Sequence, residues 1–409
     1  IKMDNYEIIL KCEQNLKEQF SMLDDIAFYN QKKVLNAFRK NNIETRHFCG
    51  STGYGYSDIG KEKLSQTFSD VFKTEKTLVS PLITCATQAL SMTLFGLLRP
   101  NDLMVSVTGP VYDTMYENIL GIKGKDNGSL KDFGIKYKEI PLVDNKIDFI
   151  SIKNNIKKLK PKVVFIQRSR GYSSRSAFCV EAIGEIIKIV KEVSPNSICV
   201  VDNCYGEFTE KHEATEFGAD LIVGSLIKNP GGGLAPTGAY VSGKAKYVEM
   251  VEQRYTCPSL GNETGSYEQG YRMFFQGLFM APHTTIQAMK GAYLVGEVMK
   301  HKGYNVTPNQ DERSYDIIKS ITFNTKDELI KFVQLIQKNS PIDANAVPLP
   351  WNMPGYSDEV IMAAGTFVSG ASIELSCDSP IKEPYIAYFQ GGLTYEHVKC
   401  LCEDLLNNF

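Results

Sequence analysis

Short β-branched runs alternate with segments of helical pattern, and this alternation is the feature that most limits how the chain can fold. Helical patterns such as "CATQALSMTLFGLL" and "VEAIGEIIKIVKEV" separate several of the runs. The runs between residues 76 and 243 are "KTLVS", "LMVSVTG", "KVVFIQ", "SICVVDN", "ADLIVGS" and "GAYVSG". Strands that alternate with helices of this length predict a largely parallel sheet covered on both faces. The strand C-termini then share one edge, where open α/β sheets bind ligands.

The regions on either side of this alternation have a different pattern. Residues 1–45 read as amphipathic helices and predict an N-terminal helical arm. Residues 46–285 contain the alternation and predict the large domain. Residues 286–409 combine helical segments, a Pro-rich link and the short runs "VIMAAGTFV", "ASIELS" and "YIAYFQGG". They predict a smaller C-terminal α+β domain.

Composition excludes several classes of function. Hydrophobic residues make up 43% of the 409 residues and charged residues 22%, as in soluble globular proteins. With a net charge of −2, the whole chain lacks the excess of positive charge that is typical of nucleic-acid-binding proteins. No apolar run approaches the roughly 20 residues that span a bilayer. The ten cysteines form no C-x-x-C pair or metal-type spacing, so we expect reduced thiols, no metal and a cytoplasmic protein.

Lys228 stands in the segment "GSLIKNPGGGLAPTG", directly after an apolar run and shortly before three glycines. Burial at the edge of a sheet disfavours the charged form of a lysine and frees its amine as a nucleophile. Such an amine forms a Schiff base with an aldehyde. Ser225, three residues earlier, would then donate its hydroxyl to a phosphate on the same ligand. The ordinary alternative is a surface lysine before a glycine turn.

Asp202 ends the apolar run "SICVV" and is therefore expected at the same sheet edge. A carboxylate there needs a cation, and the protonated pyridine nitrogen of pyridoxal phosphate is one. Alternatively, Asp202 is an ordinary turn residue at the start of the "NCYGEF" loop.

Three further segments agree with a ligand of this kind. A helix that opens at "CAT" after a strand would bind a phosphate with its backbone N–H groups. An aromatic residue after "LMVSV" would stack on a flat ring. The segment "STGYGYSDIG", in which glycines alternate with tyrosines, would contribute two further aromatic residues to the same site. The residues concerned are Cys85, Ala86, Thr87, Tyr112, Tyr54 and Tyr56. Together with Lys228 and Asp202 they predict a pyridoxal 5'-phosphate site, although each alone is also typical of an ordinary turn or core aromatic.

Longer segments carry a family resemblance. They include "STGYGYSDIG", "TGPVYDT", "QRSRGYSSR", "VVDNCYGEF", "GADLIVGSLIKNPGGGLAPTGAY", "QGLFMAP", "MPGYSDEVIMAAGTFVSGASIELS" and "QGGLT". From about Phe48 onward the chain resembles the methionine gamma-lyase-like family, also called the aluminium resistance protein family. That family belongs to the cysteine and methionine metabolism group of pyridoxal-phosphate proteins. The resemblance implies the aspartate-aminotransferase fold (fold type I), with a mostly parallel seven-stranded-type sheet and a smaller C-terminal domain.

The resemblance also implies roles for individual residues. Lys228 would be the Schiff-base lysine, Asp202 the partner of the pyridine nitrogen and Tyr112 the ring-stacking residue. Ser225 would help to hold the phosphate, together with the backbone amides of Ala86 and Thr87.

Two tyrosines are expected to act between subunits. In related enzymes a tyrosine of the neighbouring subunit reaches the phosphate, and Tyr54 or Tyr56 would do so here. The resemblance therefore implies a homodimer or homotetramer with an active site shared between subunits.

Some residues depart from the family pattern. "CATQ" at Cys85 stands where we expect Ser-Gly-Thr-His, and Lys382 stands where we expect an arginine before "PY". The ammonium of lysine is a point charge, whereas the planar guanidinium of arginine can donate two parallel hydrogen bonds to a substrate carboxylate. Arg168 and Arg170 in "FIQRSRGY" are alternative ligands for this carboxylate. The other interpretation is that both are exposed to solvent at the surface, as most arginines are.

These observations predict a pyridoxal-phosphate carbon–sulfur lyase acting on a small sulfur amino acid: methionine, cystathionine or cysteine. Lys228 would form the Schiff base, then remove the α-proton, and β- or γ-elimination would give a thiol, a 2-oxo acid and ammonia. The alternatives are an aminotransferase, a γ-replacement transferase and a catalytically silent homologue that binds the cofactor.

Overall fold

The computed structural model describes residues 4–121, 126–309, 312–354 and 356–409. The α-helices are α1 (Asn5–Asn15), α2 (Lys17–Lys40), α3 (Ile59–Phe72), α4 (Ala86–Leu97), α5 (Phe149–Leu159), α6 (Val180–Val193), α7 (Ala245–Glu252), α8 (Arg272–His301), α9 (Lys326–Lys338) and α10 (Tyr395–Asn408). The strands are β1 (Lys76–Ser80), β2 (Leu103–Ser106), β3 (Lys136–Glu139), β4 (Val163–Gln167), β5 (Ile198–Asp202), β6 (Leu221–Ser225), β7 (Ala239–Gly243), β8 (Asn305–Thr307), β9 (Ile318–Phe323), β10 (Val360–Ala363), β11 (Ser376–Pro380) and β12 (Tyr385–Gln390).

The large sheet has seven strands in the order β1-β7-β6-β5-β4-β2-β3. Strands β6, β5, β4, β2 and β3 are parallel, whereas β7 runs antiparallel to both β1 and β6. Helices cover both faces, so β4, β5 and β6 are buried along their whole length. That double burial explains their continuous apolar runs. The predicted α/β fold with a mostly parallel sheet is confirmed.

Two strand predictions differ from the structure. Strand β3 was not predicted, because its sequence "KYKE" is polar and lies at the open edge of the sheet. The strand predicted at "ASIELS" (371–376) is a turn segment, and β11 begins only at the last of these residues. The carboxylate of Glu374 accepts hydrogen bonds from the backbone N–H groups of Phe367 and Val368, which holds this segment in a loop.

The small sheet is antiparallel and has the strand order β10-β11-β12-β9-β8. It packs on α8 and α9, and α10 packs in turn on both of these helices. Helix α8 contributes to both hydrophobic cores: residues up to Ala281 pack into the core beside the large sheet, and residues from Ile286 onward pack into the core of the small one. Our boundary at residue 285 falls inside this helix, and the domain limits stay a prediction.

The N-terminal helices are packed against the rest of the molecule. The first, α1, lies on α8 and α10, and the second, α2, lies along α8. A buried ion pair of 2.5 Å between Lys33 and Glu213 joins α2 to the large domain. In the part of the chain that the structure describes, no helix is both long enough and apolar enough to cross a bilayer.

Candidate functional site

A cavity of about 400 Å³ lies where the C-terminal ends of the parallel strands meet the small domain. We call Ala86, Thr87, Tyr112, Asp202 and Lys228 the large-domain wall, and Tyr356, Asp378 and Lys382 the small-domain wall. Gln167, Arg170, Tyr172, Cys204 and Tyr205 also line the cavity. A second cavity of about 620 Å³ opens at the other edge of the sheet and brings together none of the predicted site residues. The sheet topology thus gathers Lys228, Asp202, Tyr112, Ala86 and Thr87 as expected.

Lys228 follows the end of β6, and its Nζ lies 3.9 Å from the centre of the Tyr205 ring. Burial lowers the pKa of Lys228, but the neighbouring groups, Cys204 and Tyr205 before Asp202, raise it well above its usual range. In the chain by itself the side chain is therefore an ammonium. Burial alone thus does not free the amine, contrary to our expectation.

Asp202 is the last residue of β5 and is 6% exposed. Burial raises the pKa of Asp202, whereas the charge of Lys228 lowers it. The backbone N–H of Cys204 donates to Asp202 Oδ1 at 3.2 Å. The carboxylate thus stabilises the turn after β5 and also lines the cavity, and its role as the partner of a ring nitrogen stays a prediction.

Tyr112 lies in the loop after β2 and is fixed at two points. Its hydroxyl is 3.2 Å from Thr87 Oγ1, and its backbone N–H donates to Gln167 Oε1 at 2.9 Å. Burial raises the pKa of Tyr112, so the phenol stays neutral. These contacts hold the ring against the first turn of α4.

Cys85 is the N-cap of α4, and its Sγ accepts from the backbone N–H of Gln88 at 3.4 Å. The thiol takes the position that Ser or Thr usually occupies at a helix N-terminus. Cys85 does not line the cavity, whereas Ala86 and Thr87 do. The N–H groups of Ala86 and Thr87 have no partner inside the helix, as is general for a first turn.

Three other predicted residues lie away from the cavity in this chain. Ser225 ends β6, is buried and accepts from the backbone N–H of Ile227 at 3.3 Å. Tyr54 and Tyr56 are 67% and 60% exposed. Their rings stack on each other, with centroids 5.4 Å apart and planes at 14°.

The two candidate arginines are already bound within the protein. Arg168 is buried, donates to Asn203 Oδ1 at 2.9 Å and pairs with Glu210. Arg170 is buried and pairs with Asp316 at 3.4 Å. The surface-solvation alternative is therefore wrong for both. Their buried partners also argue against either guanidinium as a ligand for a substrate carboxylate.

Lys382 is the candidate that faces the cavity with an accessible head group. Its side chain is 52% exposed, and Nζ lies 2.9 Å from Asp358 Oδ2. An exposed pair of this kind contributes little stability, so the ammonium can exchange its partner.

The sequence did not single out Asp378, Tyr172 or Tyr205. The Tyr172 hydroxyl donates to Asp378 Oδ2 at 3.1 Å, and Gln390 Nε2 donates to Oδ1 at 2.8 Å. Burial raises the pKa of Asp378 to about 6. Tyr205 has a positive φ of 69° and accepts a hydrogen bond from Ser372 at 3.1 Å. The one signal for Tyr172 and Tyr205 was their place in the quoted segments "QRSRGYSSR" and "VVDNCYGEF", whereas Asp378 lies outside all of them.

The chain is similar over nearly its whole length to known proteins, some of which have solved structures. Protein YnbB of Bacillus subtilis (strain 168), itself uncharacterized, is 47% identical over 392 residues, which cover 95% of this chain and 93% of YnbB. A Clostridium novyi NT structure, a carbon-sulfur lyase involved in aluminum resistance, is 46% identical with a TM-score of 0.94, covering 99% of this chain and 96% of that one. A Listeria innocua structure, provisionally named a cystathionine beta-lyase involved in aluminum resistance, is 46% identical with a TM-score of 0.96 and complete coverage of both chains.

More distant structures share the fold alone. Cystathionine gamma synthase from Xanthomonas oryzae pv. oryzae is 15% identical with a TM-score of 0.58, and 85% of each chain is covered. The fold expected from the resemblance is confirmed. The model of the methionine gamma-lyase family matches residues 5–409, almost the whole sequence. The chain belongs to the methionine gamma-lyase family.

Proposed function

We propose that this protein is a pyridoxal-phosphate-dependent carbon–sulfur lyase that acts on a small sulfur amino acid. The observation that carries the proposal is the large-domain wall, which brings a lysine, a buried carboxylate and an aromatic ring into one cavity. The names of the similar Clostridium novyi and Listeria innocua proteins support the same chemistry.

The residues of this cavity fit the cofactor. Among the described residues, no lysine, arginine or histidine forms an ion pair with Asp202, so this buried carboxylate has room for a cationic ring nitrogen. The unpaired N–H groups of Ala86 and Thr87 at the start of α4 suit a phosphate. A volume of about 400 Å³ is also within the usual range for small-molecule sites.

When bound, pyridoxal phosphate supplies an aldehyde that reacts with amines and a ring that accepts an electron pair from the α-carbon. Lys228 Nζ would hold the aldehyde and later take the proton from the substrate α-carbon. Asp202 would keep the ring nitrogen protonated, and Tyr112 would pack against the ring. A ring cation at Asp202 would offset the negative charge that raises the pKa of Lys228, and so help this amine to lose its proton.

We further propose that the site is completed in an oligomer, a homodimer or homotetramer. The stacked Tyr54 and Tyr56 are exposed and lie outside the cavity of their own chain, where they would serve the site of a second subunit. A cytoplasmic location fits the ten free cysteines, since reduced thiols persist in the cytosol.

The decisive experiment combines spectroscopy with peptide mapping. Purified protein supplied with pyridoxal phosphate should be yellow, and borohydride should fix the cofactor to the peptide that contains Lys228. A protein that stays colourless, or a label on another lysine, would overturn the proposed role.

Product analysis then distinguishes the reaction classes. The lyase should release a 2-oxo acid and ammonia from cystathionine, methionine or cysteine without a second substrate. A requirement for an acceptor 2-oxo acid would identify an aminotransferase instead, and one for an acceptor thiol a γ-replacement transferase. A yellow protein that turns over none of these amino acids would be a silent homologue.

A further inference from the structure

The small-domain wall contains a carboxylate that the proposed chemistry does not use. Asp378 is on β11 and lines the cavity opposite the large-domain wall. Both of its oxygens accept hydrogen bonds, from Tyr172 and from Gln390. This is the hydrogen-bond pattern of an ionised, acceptor-only carboxylate. A carboxylate of this kind beside a cavity favours a cationic partner.

The cations that line the cavity are Lys228, Arg170 and Lys382. Arg170 is paired with Asp316, and the ammonium of Lys382 lies beside Asp358. The charge of Lys228 does act on Asp378, since it lowers the pKa of this carboxyl. To take the α-proton of the substrate, however, Lys228 has to be an uncharged amine, so its charge is not available to Asp378 at that stage. Among the described residues that line the cavity, Asp378 then has no lysine or arginine of its own.

The substrate can supply the cation that replaces Lys228. In the proposed function the α-amine of the substrate reacts at the cofactor, on the large-domain wall. The cation that reaches Asp378 therefore belongs to the other end of the molecule. Lys382 is four residues further along the chain, in the turn between β11 and β12, and offers a positive charge on the same wall. An acidic and a basic side chain on one wall match the ammonium and carboxylate of an amino-acid end.

We propose, on the basis of the function proposed above, that Asp378 is a specificity-determining residue that accepts an ammonium group at the far end of the substrate. The preferred substrate class is then a thioether with an amino-acid group at both ends. Tyr172 is a positioning residue in this arrangement, because its hydroxyl holds one oxygen of Asp378.

The test uses two compounds that differ only in the distal amine: L-cystathionine and S-(3-carboxypropyl)-L-cysteine. The cofactor-loaded protein should prefer cystathionine by at least about tenfold in kcat/KM, as is typical of a hydrogen bond to a charged group. Asp378→Asn should abolish this preference and leave the visible spectrum of the bound cofactor unchanged. Asp378→Glu, which keeps the charge, should restore part of the preference.

Binding gives a readout that does not depend on turnover. In a Lys228→Ala background with pyridoxal phosphate in solution, calorimetry should show tighter binding of cystathionine than of the distal-deamino analogue, and Asp378→Asn should remove the difference. Lys382→Gln is the matched control, because both compounds carry the distal carboxylate and both should weaken alike.

Two results would overturn the proposal: no preference in the wild-type protein, or the same preference in Asp378→Asn. A failure of the function proposed above would look different, because no bound cofactor or no turnover of any sulfur amino acid would be seen. The calorimetric comparison would still test Asp378 in that case.

Discussion

The two walls of the cavity follow different structural rules. On the large-domain wall, Asp202 ends a parallel strand and Lys228 follows one, so the topology of the sheet brings them to one edge. On the small-domain wall, Asp378 and Lys382 belong to one antiparallel strand and the turn that follows it. The comparison teaches that the groups proposed for chemistry occupy positions that the fold dictates. The groups proposed for selectivity reach the cavity only because the small domain packs beside the large one.

Replacing the lysine of the large-domain wall should have the largest effect. Lys228→Ala should lose the visible band of bound cofactor and reduce turnover by roughly 10⁴-fold or more, because it removes both the covalent anchor and the base. Lys382→Ala, on the other wall, is the control and should weaken substrate binding while it keeps the band. Absorption spectra and kcat measure both effects. Equal losses in the two variants would remove the distinction between the walls.

Arg170 is one of the links between the two domains, and breaking this link should have the next largest effect. Its guanidinium pairs with Asp316 and donates to the carbonyl of Thr307 at 2.9 Å. Arg170→Met should lower the free energy of unfolding by about 3–5 kcal/mol, because Asp316 is left buried and unpaired. Urea denaturation measures the loss.

The matched control for this variant is Arg46→Met. Arg46 forms an exposed pair with Glu44, so its loss should change stability by less than about 1 kcal/mol. Similar losses at both positions would contradict the structural role of Arg170.

Glu207, buried near the large-domain wall, should make stability depend on pH. The Tyr240 hydroxyl donates to its Oε1 at 2.7 Å, and burial raises the pKa of Glu207 from 4.5 to about 8. The folded protein therefore holds a proton that the unfolded chain releases, and stability falls as pH rises from about 4.5 to about 8. Glu207→Gln should remove this part of the fall. Thermal melts of both proteins across that pH range provide the measurement. If the melting temperatures of the two proteins fall in parallel as pH rises, the predicted effect of Glu207 is wrong.

The smallest effect is expected at the N-cap of α4, beside the large-domain wall. Cys85→Ser should raise the free energy of unfolding by about 0.5–1 kcal/mol, since a hydroxyl is a better helix cap than a thiol. Cys85→Ala is the control and should not stabilise. Thermal melts decide between them, and a serine variant no more stable than the wild-type protein would show that Sγ already caps fully.

The large-domain wall could be predicted because buried parallel strands read as apolar runs and their first polar residue marks the sheet edge. Asp202 was found in this way, and Ser225 from its place three residues before Lys228. The sequence could not show that the Ser225 hydroxyl faces a backbone N–H rather than the cavity. Orientation depends on the local turn, which no periodicity encodes.

The small-domain wall was much harder to predict. Asp378 lies within "SCDSP", a mostly polar sequence that is nevertheless a strand with largely buried residues. Its partner Tyr172 is 206 residues away in sequence. Lys382 was found through the resemblance alone, and Arg168 and Arg170 show the converse difficulty. Each follows a strand, as a ligand-binding arginine would, yet buried acidic partners distant in sequence already hold them.

Helix α8 has a consequence for the length of the substrate. Because one continuous helix packs into both hydrophobic cores, the two domains share a rigid element, and Arg170 adds a second connection. The gap between the base on one side and Asp378 on the other is thereby set by the scaffold rather than by each ligand. Homologues of a two-ended thioether with one methylene more or fewer would carry their second charge past or short of Asp378, so chain length itself becomes a criterion of selection.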